Sequence, residues 1–201
     1  MSALYDDVVR RFEIGHAKAP PGLWIDPRID EIEIFKPAAV LIAITDRPRP
    51  GILLLHRPST MRAHPGQIAF PGGRLDHGEN AVAAALREAN EELGIDPSAV
   101  RVVGTSDQHR TGSGYEITPV IGVVSPDIEI HPNPAEVAQW FEAPADYVLN
   151  PANHTTRMIE WGERQHSFVE IVWTDGRQDH VIWGATGAIL HNVAGRLNWH
   201  D

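Results

Sequence analysis

The sequence predicts an α/β fold in which a mixed sheet lies between helices. Three observations lead there. Two apolar, β-branched runs flank a Pro-Gly turn at residues 39–56. An alanine- and glutamate-rich helix follows at residues 81–93. Further strand-like runs then lead to a terminal helical segment near residues 185–193. With 201 residues, 42% apolar and 22% charged, the chain has the size and composition of one globular domain.

Taken in order, Leu4, Val8, Val9 and Phe12 give residues 3–14 weak helical spacing. Residues 18–36 are rich in proline and charge and read as an irregular approach, so residues 1–37 form an N-terminal extension packing on a domain at 38–201. Residues 39–45 and 52–56 read as a hairpin across the turn at 46–51. Residues 57–66 form a polar loop. A short strand at 67–70 and a turn at Pro71-Gly72-Gly73 come next. Asn80 is a good N-cap, and Gly94 supplies a left-handed stop. Val82, Ala85, Leu86, Ala89 and Leu93 make one apolar stripe between them. Strands are expected at 100–105, 117–124 and 128–130, with a polar loop at 108–116. Short elements lie around Pro144, a hairpin at 157–173, and a strand at 180–183 after the Asp175-Gly176 turn.

Composition excludes several classes. There is no cysteine, so neither a disulfide framework nor a thiolate metal site is available. The formal net charge of −10 argues against a nucleic-acid partner. The mixed-charge N-terminus does not read as a signal peptide, and the apolar run at 38–44 is too short to span a bilayer. The expectation is a cytoplasmic protein with no membrane contact. An anionic small molecule would still need local arginines or metal ions to overcome the global charge.

The helix at 81–93 supplies the chemistry. Glu88, Glu91 and Glu92 stand at i, i+3 and i+4, so they share one face and repel unless a cation sits among them. Carboxylate oxygens are the ligands that Mg²⁺ and Mn²⁺ prefer. Arg87 can pair with a neighbouring carboxylate and hold it in register. A solvated acidic face would explain three glutamates, but the wider spacing is more specific. It runs Gly73, five residues, Glu79, seven residues, Arg87-Glu88-Ala89-Asn90-Glu91-Glu92, one residue, Gly94-Ile95. Seven fixed positions would match by accident on the order of once in a million at average residue usage.

This stretch resembles the Nudix box, GX5EX7REUXEEXGU with U aliphatic. The resemblance implies a Nudix-type α/β/α sandwich that cleaves a nucleoside diphosphate linked to another group. It further implies that Glu88 and Glu92 are the principal ligands of Mg²⁺ or Mn²⁺. Glu91 would be a further ligand or a base, and the Gly72 carbonyl would join the metal shell. Arg87, Glu79, Gly73 and Gly94 would support the site. Glu116 and Glu136 are weaker candidates for the base.

Upstream, Leu53-Leu54-Leu55-His56-Arg57-Pro58 is followed by Arg62, Gly66 and Phe70-Pro71-Gly72-Gly73. This is similar to the signature LLTXR(S/A)X3RX3GX3FPGG of the coenzyme A diphosphatase branch. Leu55 stands where Thr is usual and Pro58 where Ser or Ala is usual. The resemblance implies coenzyme A or acyl-coenzyme A as substrate, with Arg57, Arg62, His64, Gly66 and Phe70 at the substrate site. Arginine forks suit phosphate oxygens. ADP-ribose or a nucleotide sugar is the alternative substrate, and a non-catalytic nucleotide-binding module a second alternative. A homodimer is expected from the family alone. Trp140, Phe141, Trp161, Trp173 and Trp183 read as core more than as a self-association surface.

Overall fold

The computed structural model describes residues 2–20, 22–59, 66–161 and 164–200. Helix α1 spans Ala3–His16, capped by the Ser2 side chain, which accepts from the Tyr5 N–H. Strand β1 (Lys36–Thr45) and strand β2 (Gly51–His56) pair antiparallel, with Ile44 opposite Ile52. Beyond that pair the two strands separate. The segment that follows bridges them: β3 (Ile68–Ala69) bonds to β2, and β4 (Gly72–Arg74) bonds to β1. The sequence reading placed Gly72 and Gly73 in a turn. They are strand residues, because two glycines without side chains let the backbone of β4 come close to Ala39 and Val40 of β1.

Helix α2 (Ala81–Leu93) keeps the expected bounds and caps, with Gly94 at φ 69°. Strand β5 (Val100–Thr105), β6 (His109–Arg110) and β7 (Tyr115–Val124) follow, and β7 runs parallel to β1 along its whole length. The two residues of β6 lie inside the stretch expected to be loop. Residues 128–130, expected as a strand, make no ladder. Ile128 and Ile130 instead pack their side chains on the cluster under α2, so an apolar alternation is used without strand pairing. Strand β8 (Gln139–Pro144) pairs with β2, and the short α3 (Ala145–Val148) follows.

Strands β9 (His154–Trp161), β10 (Arg164–Thr174) and β11 (Asp179–Ile182) form a separate antiparallel sheet in the order β11-β10-β9. Helix α4 (Gly184–Leu197) closes the fold and is longer than its sequence pattern suggested.

Period-two alternation divides the main sheet between two cores. Ala39, Leu41 and Ala43 of β1, with Leu53 and Leu55 of β2, face α2. Ile42, Ile44, Ile52 and Leu54 face the other way, onto α1, α3, α4 and the second sheet. The result is a three-layer α/β/α arrangement with a mixed sheet in the middle, as the sequence predicted.

Residues 1–37 contribute to the second core through Val8, which is fully buried. Two arginines join α1 to α4 reciprocally. Arg11 donates to the carbonyl of Asn198 at the end of α4. Arg196 donates to the carbonyls of Gly15 and Lys18 at the end of α1, at 2.8 and 3.0 Å. Each helix C-terminus thus receives the positive charge its orphan carbonyls favour. Arg196 is also fixed by Asp107, whose carboxyl is held below its usual range by that guanidinium.

The same region holds a buried neutral imidazole. His109 is 4% exposed, and burial pushes it down to about 4. The unfolded chain therefore takes up a proton below about pH 6.5 that the native state refuses, so stability is complete above that value and falls as pH drops towards 4. The His109 contribution is about 3 kcal/mol at its limit. Urea midpoints for the wild type and His109→Gln, compared at neutral and acid pH, check this. The variant is expected to lose less stability on acidification, and equal losses would show that His109 is not the group involved.

Candidate metal and diphosphate site

The site is built where β4, α2 and the end of β2 meet. Glu92 lies on the inner face of α2 and is 3% exposed. Its Oε2 accepts from the Gly72 N–H at 2.9 Å. Burial pushes its carboxyl up to about 8, against that hydrogen bond, and the charges of Glu88 and Glu136 push the same way. Glu88, one turn earlier, is also raised, first by burial, with Arg87 opposing and with Glu91 and Glu136 adding to the rise.

Arg87 holds the rim. Its guanidinium donates to Glu79 through Nε at 3.1 Å and Nη2 at 3.0 Å. Nη1 reaches Glu88 and Glu91, each at 3.0 Å, and Nη2 also reaches the Arg74 carbonyl at 3.0 Å. Glu79 in turn accepts from the Asp76 N–H, and the Arg87 bonds hold its carboxyl below the usual range. One side chain therefore fastens the loop after β4 to the helix and aligns Glu88.

Two glycines make room for this. A Cβ on Gly73 would sit 2.3 Å from Oε1 of Glu88, and one on Gly72 would sit 2.5 Å from the Ala39 carbonyl oxygen. The first glycine is required by the carboxylate, the second by the neighbouring strand.

The structure brings Glu88 and Glu92 together and adds Glu136. The segment carrying Glu136 is tied to the end of α2: the Asn133 N–H donates to the Glu92 carbonyl and the His131 N–H to the Leu93 carbonyl. Asn133 Nδ2 also donates to Glu136 at 3.2 Å. Glu91 is different. It is half-exposed and paired with Arg87, not turned toward Glu92. Glu116 is held by Arg110 at 2.7 Å across β6 and β7.

Of the loop residues, Arg57 stands at the end of β2. Its charge acts on Glu92, lowering that group's affinity for a proton. Its Nε is buried, with no hydrogen-bond acceptor among the described residues. Gly66 adopts φ +70° and its N–H returns to the Arg57 carbonyl at 3.2 Å. Phe70 is 3% exposed and belongs to the core on the face away from α2, so it supports the segment from beneath. Arg62 and His64 lie outside the described residues.

Whether this set fits a divalent ion can be judged from its donors. Among the described residues, no three Asp, Glu or His side chains are already gathered closely enough to hold a metal by themselves. Glu88 and Glu92 nevertheless offer hard oxygen donors, crowded, half-buried to buried, and mutually repelling. A dication relieves that repulsion, and Mg²⁺ in particular takes few protein ligands and keeps several waters. The residues fit such an ion.

The Nudix domain profile matches residues 35–165, and the chain belongs to the Nudix hydrolases. These enzymes act on nucleoside diphosphate derivatives and use a divalent metal. Among curated relatives, the uncharacterised Nudix hydrolase NudL of Escherichia coli (strain K12) is 36% identical over 196 residues, covering 96% of this chain and 94% of its own. NudL of Photorhabdus laumondii is 40% identical over 158 residues, 78% of this chain and 82% of its own. Among solved structures, a Nudix hydrolase from M. Smegmatis, RenU, shares 27% identity at a TM-score of 0.49, covering 56% of this chain and 73% of that one. A C. elegans Ap4A hydrolase shares 19% identity at a TM-score of 0.48, over 54% and 80%. Among the described residues, no helix is long and apolar enough to cross a membrane.

Proposed function

We propose that this chain is a metal-dependent diphosphatase acting on coenzyme A or acyl-coenzyme A, releasing 4′-phosphopantetheine, or its acyl form, and adenosine 3′,5′-bisphosphate. The observation that carries the reading is the juxtaposition of Arg57 with the glutamate pair. A buried guanidinium Nε without an acceptor among the described residues, its charge acting on Glu92, supports a role for Arg57 at a phosphate.

Glu88 and Glu92 would hold Mg²⁺ or Mn²⁺ with the Gly72 carbonyl. The bound ion neutralises phosphoryl charge and lowers the pKa of a water. Arg87 aligns Glu88 through the hydrogen bonds above. Glu136 or Glu91 would take the proton of the attacking water; the charge of Glu136 acts on both Glu88 and Glu92, which favours it. Arg57, and Arg62 and His64 of the loop, would bind the substrate's phosphates. Every glutamate of the box is retained, which supports catalysis over a binding-only module.

ADP-ribose or a nucleotide sugar is the second reading, favoured by Leu55 and Pro58, which depart from the coenzyme A signature. Product analysis separates them. Purified protein with Mg²⁺ or Mn²⁺ is given coenzyme A, ADP-ribose, NADH and nucleoside triphosphates in parallel. Coenzyme A is expected to be cleaved with the best kcat/KM. Coenzyme A left intact beside rapid turnover of another diphosphate would overturn the substrate.

A further inference from the structure

The segment between α1 and β1 builds one wall of a cavity that the catalytic reading does not use. Trp24 is clamped there by Asn192 of α4. The Trp24 N–H donates to Oδ1 of Asn192 at 2.7 Å, and Nδ2 donates back to the Trp24 carbonyl at 3.2 Å. Two residues on, the Asp26 carboxylate accepts from the Gly112 N–H at 2.8 Å and from the Arg28 guanidinium at 2.9 and 2.7 Å. A Cβ on Gly112 would sit 2.6 Å from the Cβ of Arg28, so glycine lets the turn between β6 and β7 come this close. These anchors hold the segment across from the outer face of β10 and β11. Between the two lies a cavity of about 260 Å³, walled by Trp24, Pro27, Phe168, Val181 and Trp183, with His109 of β6 in its lining.

The lining narrows the chemistry that fits. Its carboxylates are already paired: Asp26 with Arg28, and Glu170 with Arg157 at 2.8 Å. Neither is left alone to hold an amine, and Arg28 is already neutralised as a phosphate site. The rings form no parallel slot for a flat base. Phe168 and Trp183 are tilted by 59°, and Trp24 and His109 by 34° at 6.5 Å. What remains is apolar wall and His109. That imidazole is buried and neutral, so it carries one donor and one acceptor. It makes no hydrogen bond among the described residues, whereas buried polar groups normally have partners. An amide set in an aliphatic chain supplies both an acceptor and a donor. At the rim Val181 and Trp183 are exposed, apolar surface that such a chain would cover.

The cavity also lies at a suitable reach from the glutamates. His109 stands opposite Ile117 of β7, Ile117 opposite Ala38 of β1, and Ala38 opposite Arg74 of β4. Three strand spacings put His109 about 14 Å from Arg74. Arg74 follows Gly73, against which the Glu88 carboxylate lies. An extended chain of about twelve bonds also spans about 14 Å, by the rise of a polypeptide. The arm of coenzyme A between its diphosphate and its sulfur is a chain of that length, aliphatic, uncharged and interrupted by amides. We propose that this cavity is the subsite for that arm and for an acyl group on its sulfur, with His109 as the partner of an amide and Trp24, Val181 and Trp183 as the apolar walls. The N-terminal segment then serves specificity, by completing the pocket for the half of the substrate that is not nucleoside.

This inference rests on the coenzyme A reading above, and the two can fail separately. The first test needs no turnover. The ¹⁵N-labelled full chain, without metal, is titrated with S-butyryl pantetheine, which has the arm but no phosphate. A parallel titration uses adenosine 3′,5′-bisphosphate, which has the nucleoside but no arm. The thioester is expected to shift the ring nitrogens of His109, and the bisphosphate to leave them in place. A His109 ring unmoved by the thioester, or moved as far by the bisphosphate, would overturn the proposal. The second test is kinetic. Val181→Trp narrows the rim from an exposed strand position, where substitutions are generally tolerated. Its KM for butyryl-coenzyme A is expected to rise about tenfold, the size of two methylenes kept from apolar contact. Its kcat is expected to hold, because ground state and transition state lose the same contact. An unchanged KM, or a fall in kcat alone, would contradict the subsite. Thioester binding at His109 in a protein that leaves coenzyme A intact would count against the diphosphatase reading alone. Coenzyme A cleaved while His109 ignores the thioester would sink the subsite alone.

Discussion

Replacing Glu92 by glutamine is expected to lower kcat by about a thousandfold or more, because roughly 4 kcal/mol of transition-state stabilisation goes with a lost anionic ligand. The substitution keeps the shape of the side chain and can still accept the Gly72 N–H, so the backbone arrangement survives. It also removes a carboxylate that burial penalises. Metal-free protein carrying glutamine is therefore expected to be no less stable than the wild type above about pH 8, where Glu92 is ionised. Loss of activity without loss of stability separates a metal ligand from a structural residue. Urea denaturation of the chelated proteins and steady-state kinetics of the loaded ones check the two halves.

The second large effect comes from the adjacent glycines, which the structure makes unequal. Alanine at position 73 meets only the far end of the Glu88 side chain. That end can swing aside, so stability is expected to change by less than about 1 kcal/mol. The carboxylate then leaves its alignment on Arg87, and kcat is expected to fall about a hundredfold, as for loss of an outer support of a metal site. Alanine at position 72 meets the backbone of Ala39 and Val40. Backbone cannot swing aside, so β4 is pushed off β1 and the cost is about 3 kcal/mol, with activity lost as well. Thermal or urea unfolding beside kinetics distinguishes the pair. Equal destabilisation by both would contradict the assigned roles.

These contrasts show what the sequence could reveal. Helix α2 was readable to the residue because Asn80, the alanine run and Gly94 are local signals that agree with one another. Its glutamates were readable because the box spacing is local too. The path of Gly72 and Gly73 was not, since nothing near them says that β1 and β2 separate and admit a bridging segment. Ile128 and Ile130 alternate like a strand, yet their burial is satisfied by packing beneath α2 without a partner ladder. Glu136 looked like an ordinary loop residue. Its place near Glu88 and Glu92 depends on two backbone bonds to the end of α2, made by residues that β5, β6 and β7 separate from it in sequence. His56 and His180 lie 3.1 Å apart although 124 residues separate them in sequence, so only tertiary structure brings them together.

The most direct test of the account is cleavage of coenzyme A in ¹⁸O-labelled water by the purified chain with Mg²⁺ or Mn²⁺, with the Glu92→Gln protein alongside. The account predicts 4′-phosphopantetheine and adenosine 3′,5′-bisphosphate, label in one product only, and no turnover by the variant or after chelation. Turnover undiminished in the Glu92→Gln protein, or coenzyme A untouched by the metal-loaded wild type, would contradict it.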